Sequence, residues 1–484
     1  MKIFYKMTLA LAAVMTIATS AFAGGPMTNT NQSASFLRSV ARGTSLDPDA
    51  VYYNPAGVVF MENGFHIGLS DQMATQTRTI TSTYGAFAMG AGNNGVTKDF
   101  TGEVFSPLVP SLHLAWKHNR FAVMAGLGVN GGGGSLLFGE GLGSFERQFS
   151  VLPGAISQLG ANMGLSASQY DMDMELTGKS MTLAFNVGAA FRITDWLSVA
   201  AQVRVGVTNN SYTGGIKNIS INPLSTNPMF PANGQMLKAA DFFTAASQML
   251  GKLNPALATQ AAQYAALTAD HTLDVKQSGT SISPILAVAL HKGKWDASIK
   301  YEFKMATELT IESAEVSAKD PVINSIFADG TTVKSETPAL LAAAVSRHFG
   351  PVKVTAQWHH FFDKNAENSF TPAVKGNTNE YLLGAEWSIS ERWLVSAGAQ
   401  RTQLNLDENA YSDMNFSISS WSVGAGLAFK VCEAMRINAG IMPTIYDKDI
   451  VAVGKVADTG LDFKDVYNRT SLAWGIGLDF KFGR

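Results

Sequence analysis

The sequence predicts an all-β transmembrane protein: an outer-membrane barrel of about fourteen antiparallel strands, with an N-terminal plug inside and partly helical loops outside. Three observations lead there. The chain opens with an export signal and then offers no run of about 18 apolar residues that could cross a membrane as a helix. From Gly64 onward, apolar residues alternate with small or polar ones. The connections between alternating runs are by turns very short and very long.

The leader comes first. Lys2 and Lys6 give a positive start, Met7 to Ile17 an apolar run, and Ala21-Phe22-Ala23 a small-x-small cleavage site, so residues 1–23 are expected to be removed. An exported chain with one cysteine, Cys432, has no intramolecular disulfide framework, and its stability must come from elsewhere. A formal net charge of −2 carries no polyanion footprint and excludes nucleic acid as a partner.

Residues 24–63 form the expected plug. Ser35 to Arg42 read as a short helix with Phe36, Leu37, Val40 and Ala41 on one side. Asp47-Pro48-Asp49-Ala50-Val51-Tyr52-Tyr53-Asn54-Pro55-Ala56-Gly57 reads as a compact turn, neither strand nor helix, because its prolines, aspartates and glycine are turn formers. Its centre, Val51-Tyr52-Tyr53, is apolar and needs a cavity to sit in. An isolated turn of this kind would lie on a surface; a plug follows only from the closed wall that comes after it.

Residues 64–484 are that wall. Leu472, Trp474, Ile476, Leu478, Phe480 and Phe482 alternate with Ala, Gly, Gly, Asp and Lys, and the same pattern recurs in Trp421 to Phe429, Tyr381 to Ile389 and Leu197 to Val207. One face suits acyl chains, the other a crowded interior. Tight turns at 117–120, 193–195, 291–294, 348–351, 390–392 and 431–433 separate long excursions near 85–101, 131–178, 214–272, 312–332, 363–378, 405–415 and 446–467. Short turns on one side and long loops on the other give seven hairpins. Trp116, Phe121, Trp196, Trp295, Trp393 and Phe429 sit beside tight turns, as an interfacial aromatic girdle requires. A soluble β-protein is the competing account, but its outward apolar faces would need a second sheet.

Two loops are rich in apolar residues: 145–168, and 236–267 with Phe242, Phe243, Leu250 and Leu253. Asn254-Pro255 reads as an N-cap followed by proline in the first helical position, so the second loop is expected to form two short helices. Their apolar stripe either packs on itself or offers a greasy capture surface.

The Asn54-Pro55-Ala56 stretch ahead of about fourteen strands resembles the FadL/TodX family of outer-membrane transporters for hydrophobic compounds. Val109-Pro110-Ser111-Leu112-His113, leading into Phe121 to Asn130, is similar to that family's second and third strands. The resemblance covers the mature chain in architecture, while close motif likeness is confined to these two places. Two features depart from it: the chain ends in Gly483-Arg484 after Phe482, and the 131–178 loop is long.

What the resemblance implies is a monomer in the outer membrane of a Gram-negative bacterium, among outer-membrane lipid and lipopolysaccharide. It would pass hydrophobic or amphipathic small molecules, long-chain fatty acids foremost, with no catalysis and no cofactor. Asn54, Pro55, Ala56 and Gly57 would form the hatch motif, the mature N-terminus would reach into a ligand pocket, and the ligand would leave sideways at a kink in the third strand. Gly131-Gly132-Gly133-Gly134, just after that strand, either supply the kink or simply begin the long loop. The rival reading is a surface receptor or adhesin that binds a protein or a porphyrin through its loops without transport. A water-filled porin is the third, disfavoured by a plug.

The interior supplies the remaining candidates. Alternation turns Arg204, Lys300, Glu302 and Lys304 inward, with Lys300 on the order of 15 Å above its turn. An ionised group at that depth is paired or wet. Arg204, Lys300 and Lys304 either join a solvated charge ladder or meet the carboxylate of an amphiphile. Arg38 and Arg42, one helical turn apart, are alternative headgroup partners or anchors to Glu302 and Glu386. His359 and His360 point to opposite faces of a strand, so with Asp363 they do not make a metal site.

Overall fold

The computed structural model describes residues 29–483, apart from 93–94, 161–163, 228–231, 318–327, 369–372, 409–410, 414, 449 and 457–459. Residues 1–23, expected to be an export signal, and residues 24–28, expected to lead into a ligand pocket, lie outside the described residues. Fourteen antiparallel strands close on themselves. They are β1 Gly64–Tyr84, β2 Thr97–His118, β3 Phe121–Phe138, β4 Tyr170–Arg192, β5 Leu197–Ile221 and β6 His271–Lys292. Then come β7 Trp295–Glu302 with its continuation Glu308–Val316, β8 Thr332–Lys334 with Leu340–Phe349, β9 Val352–Phe361 and β10 Thr378–Ser388. The circuit ends with β11 Trp393–Gln403, β12 Ser420–Cys432, β13 Met435–Tyr446 with Ile450–Lys455, and β14 Asp462–Phe482. Pairing of β1 with β14, from Phe65↔Phe482 to Tyr84↔Phe463, closes the ring.

The expected alternation is present on the outer face. Leu383 is 57% exposed, Ile476 60% and Ile299 57%, while their strand neighbours Leu382, Gly475 and Lys300 are buried. Aromatics next to the tight turns stand outward, and Trp393 and Phe429 meet across β11 and β12 with ring centres 4.6 Å apart. Among the described residues no helix is long and apolar enough to cross a membrane. Among the described residues, a wall of Leu, Ile, Val and Trp left exposed on the outside of the ring is therefore the surface that faces lipid.

The strands run further than expected. β4 has 23 residues and β5 has 25, where about 9–11 tilted residues suffice to span a bilayer. The ends of what alternation suggested as the loops 85–101, 131–178 and 214–272 are strand: residues 97–101, 131–138, 170–178, 214–221 and 271–272 continue β2 to β6. Threonine, glycine and charged residues there hide the apolar alternation, while backbone pairing carries on.

Residues 29–60 lie inside the ring and are almost entirely buried. They hold α1 Ala34–Arg38, α2 Ala50–Tyr53 and a 3-10 helix, Pro55–Phe60. The 47–57 stretch is thus helical, contrary to the expected irregular turn. Pro48 and Pro55 stand just ahead of and at the first position of successive helical turns, where a missing N–H costs nothing.

Helices also cap the long-loop end: α3 Gly143–Phe149, α4 Leu152–Leu159, α5 Ala239–Leu250 and α6 Pro255–Leu267. Asn54 and Asn254 play the same part in two places. Each accepts a backbone N–H with its side-chain oxygen, Asn54 from Gly57 and Asn254 from Leu257, both at 3.2 Å, ahead of a proline.

Candidate functional site

The inner segment is fixed to the wall from many sides. Ser198 Oγ donates to Ala56 O (2.6 Å), Gln202 Nε2 to Val51 O (2.9 Å) and Ser298 Oγ to Gly43 O (2.6 Å). Gly43 N donates to Gln357 Oε1 (2.7 Å) and Lys353 Nζ to Thr44 O (3.0 Å). Within the segment, Asn54 Nδ2 donates to Ser45 O (3.1 Å), so the motif asparagine ties both ends of its own turn. Gly57 is required by space, since a Cβ there would lie 2.1 Å from Asn54 Nδ2.

Arg42 is the electrostatic centre. Its Nε donates to Asp49 Oδ2 (2.9 Å), Nη2 to Asp49 Oδ1 (2.9 Å) and to Asp47 Oδ2 (2.7 Å), and Nη1 to Glu386 Oε1 (3.1 Å). Arg38 Nη1 shares that same Glu386 oxygen at 2.6 Å. Both arginines therefore anchor the segment to β10. Of the two expected acceptors only Glu386 is used.

Glu302 belongs to other cations. It pairs with Arg204 and, at 2.6 Å, with Lys300. Arg204 Cζ and Lys300 Nζ also lie 4.9 and 4.6 Å from the centre of the Tyr52 ring, and Lys300 Nζ donates to Tyr52 O at 2.8 Å. The pair clamps the middle of the inner segment. Lys304 departs from the expectation, because β7 is interrupted after Glu302; it is partly exposed and meets Glu336 at 2.7 Å. All five candidate headgroup cations are thus paired with carboxylates of this chain, which sequence spacing could not reveal.

Burial alone would raise the Asp49 carboxyl, but the Arg42 guanidinium outweighs it and holds Asp49 below the ordinary carboxylate range. A depressed pKa contributes stability that is complete above the ordinary aspartate value of about 3.9 and is lost as pH falls through the depressed one. Hydrogen-exchange protection of residues 29–63 is expected to hold at about pH 5 and to drop below about pH 4, while the strand ladders stay protected. Equal protection throughout would show that the Arg42 pairs do not hold the segment.

Above the inner segment, the lumen is apolar. Ile80, Tyr84, Phe100, Phe138, Tyr212, Ile216, Leu273 and Val275 from the wall join Phe145, Phe149 and Leu152 from α3 and α4 in one cluster. That cluster continues down to Phe36, Leu37, Val40, Tyr52 and Tyr53 of the inner segment. The 139–169 loop is clasped over it: Lys98 Nζ and Tyr170 Oη donate to Glu146 (2.8 and 2.7 Å), and Arg147 pairs with Asp465 (2.7 Å). Beside the clasp a cavity of about 900 Å³ opens at the long-loop end, with Glu140, Asp171, Asp173, Glu175 and Asp274 among its lining.

Two further expectations change here. Phe243 and Leu250 are buried, Phe243 stacking on Tyr264 with ring centres 5.1 Å apart, and Phe242 is half-buried. The stripe packs α5 on α6, so of the four capture candidates only Leu253, 63% exposed, is free on the surface. Gly131 to Gly134 lie within β3, not after it. The register with β4 shifts between Val129 and Gly131 and again between Gly132 and Gly134.

This double bulge opens the wall. β2 and β3 pair at Leu112↔Leu127 and again at Phe105↔Ser135, but not between, so 106–111 faces 128–134 without a ladder. Pro107 and Pro110 have no N–H to leave unpaired there. Residues of the inner segment cover the opening from within: Asn29 N donates to Asn130 O (2.8 Å), and Asn29 Nδ2 and Gln32 Nε2 donate to Val129 O (3.0 and 2.7 Å). Gly132 has φ +67°, and a Cβ would lie 2.2 Å from Ser180 O. Gly132→Ala is expected to cost on the order of 2 kcal/mol, read as a lower midpoint for loss of the heat-modifiable folded band.

His359 and His360 go separate ways. His359 Nδ1 meets Glu380 (2.8 Å) inside, His360 Nδ1 meets Asn379 (2.9 Å), and Asp363 accepts Thr378 N (2.7 Å).

A closed fourteen-stranded ring with an apolar outer belt, filled from within by its own N-terminal segment, is an outer-membrane β-barrel. Its fold is that of the FadL and TodX transporters. A FadL homologue from Pseudomonas aeruginosa superposes with a TM-score of 0.62 at 14% identity, over 95% of this chain and 100% of that one. The toluene transporter TodX from Pseudomonas putida gives 0.53 at 13% identity, over 96% and 100%. No family model and no curated protein sequence matches the chain.

Proposed function

We propose that this barrel is a FadL/TodX-type transporter that lets hydrophobic or amphipathic small molecules diffuse inward, with residues 24–63 as its hatch. The observation that carries the reading is the continuous apolar cluster from the 139–169 loop to Phe36 and Tyr53, which reaches a hatch covering a break in the wall. A molecule moving along that cluster exchanges one apolar contact for another. Water and ions would lose their hydration, which separates this lumen from a porin's.

Exit is sideways, through the β2–β3 break into the membrane, while the Arg42 and Glu302 networks keep the hatch in place. Long-chain fatty acids head the ligand classes, since each buried methylene is worth about 0.8 kcal/mol and a long tail gains most from such a path. The carboxylates at the mouth favour uncharged forms over anions.

Purified barrel in vesicles carrying lipopolysaccharide is expected to accelerate entry of a fluorescent long-chain fatty acid and of toluene, with no steady ohmic current. A steady current points to a porin. No acceleration of any hydrophobic probe, with cell binding through the loops intact, points to the receptor reading.

A further inference from the structure

The interior side of the β2–β3 break is mixed: Val109 and Val129 join the apolar cluster, and polar side chains stand among them. Asn31, Gln72, Gln76, Ser106, Ser111 and Asn130 are each more than nine-tenths buried, and each holds a side-chain polar atom with no hydrogen-bond partner among the described residues. They belong to one patch. Register sets Gln72 beside Val109 and Gln76 beside Val104, with Ser106 opposite Ala74 between them. Across the break, a Cβ on Gly134 would lie 2.5 Å from Ser106 Oγ, and one on Gly128 would lie 3.8 Å from Ser111 Cβ. Asn130 offers Nδ2 only to Met305 Sδ (3.9 Å) and leaves Oδ1 without a donor. Asn31 follows two residues after the Asn29 that covers the opening, and both of its amide atoms lack partners.

Buried polar groups without partners are costly, and native proteins retain few without a reason. Such atoms occur elsewhere in the interior too, but the six residues around the opening are all uncharged amides or hydroxyls. The charged neighbours in register are engaged: Arg78 Nε donates to Gln76 Oε1 (2.9 Å), and Asp71 Oδ1 accepts Val109 N (3.0 Å). The Arg78 cation beside the patch is held by Gln76 and lies over the Phe416 ring, so an anion would have to displace Gln76 to reach it, and a plain hydrocarbon would leave the patch's donors and acceptors unmet.

The geometry points to a selectivity site for a hydrophobe that carries one uncharged hydrogen-bonding head, namely an aliphatic or aromatic alcohol. The inference rests on the transport reading and deepens it. The apolar cluster carries the body of the molecule, and the amide and hydroxyl patch takes its hydroxyl as it reaches the break. A site built to bind a hydroxyl discriminates strongly against the analogue that lacks it.

1-Naphthol and naphthalene, matched in shape and both fluorescent, test this in vesicles with lipopolysaccharide in the outer leaflet. The wild-type barrel is expected to accelerate 1-naphthol at least about tenfold more than naphthalene. Gln72→Leu with Asn130→Leu should bring that ratio close to one while naphthalene flux persists. These changes remove orphaned polar groups and should leave the heat-modifiable band intact; should they disturb the break, Ser106→Ala with Ser111→Ala gives a milder readout of the same ratio. Equal acceleration of both probes by the wild type, or an unchanged ratio in the variants, overturns the inference and leaves the transport reading standing. Acceleration of neither probe overturns both.

Discussion

Arg42→Met is expected to release the hatch while leaving the barrel closed. The substitution keeps side-chain volume but leaves Asp49 without its cation, at a side chain only 5% exposed. Breaking a buried ion pair by removing one partner costs about 3–5 kcal/mol, because the remaining charge stays in a low-dielectric site. The loss falls on the inner segment, since no strand ladder runs through Arg42. Glu386 keeps Arg38, and Asp47 keeps Arg436, so the wall retains its own pairs. Residues 29–63 should lose most of their hydrogen-exchange protection, and cells should admit an antibiotic too large for the intact barrel. Arg42→Lys should restore little, because one ammonium cannot reach two aspartates and a glutamate at once.

The second large effect is expected from replacing Asn54, Pro55 and Ala56 together with glycine. Asn54 caps the 3-10 helix and holds Ser45 O; Pro55 fixes the first helical φ; Ala56 is buried beside the Ser198 that bonds its carbonyl. Loss of the cap costs about 1 kcal/mol, and the three new glycines add unfolded-state entropy of about 0.5–1 kcal/mol each. The heat-modifiable band should persist, with uptake of hydrophobic probes reduced or leakage raised. Loss of the folded band would make the stretch a structural staple of the barrel.

The barrel was legible because its signal is a backbone period. Alternation from Gly64, tight turns at one end and a closing strand to Phe482 required no knowledge of which side chains meet. Strand ends were less visible where outward residues stop being apolar, as in Thr208 to Ile221, although pairing continues there to Ile216↔His271. Gly131 to Gly134 looked like the beginning of a loop because a glycine run carries no face; only register against β4 shows it to be a double bulge.

The interior was legible in direction and not in partnership. Inward placement of Arg204, Lys300 and Glu302 followed from period two. That Glu302 would take both cations, leaving Arg38 and Arg42 to Glu386, depends on where strands far apart in sequence meet the inner segment. The orphaned amides and hydroxyls at the break carried no sequence signal, since Gln72, Ser106 and Asn130 read as ordinary inward polar residues of separate strands.

The claim that ligand leaves through the wall while the hatch stays docked is tested most directly by stapling the break. Ser111→Cys with Gly128→Cys, and Ser106→Cys with Gly134→Cys, join β2 to β3 at its two ends; in each pair a Cβ built on the glycine lies 3.8 Å from the serine Cβ, within disulfide range. Because that on Gly128 lies 2.3 Å from Gln32 Oε1, the reduced double variants serve as the control for any shift of the hatch. In a Cys432→Ser background the oxidised double staple is expected to abolish accelerated entry of a fluorescent long-chain fatty acid, and reduction to restore it. Full entry through the oxidised barrel would contradict lateral exit and place the route past the hatch.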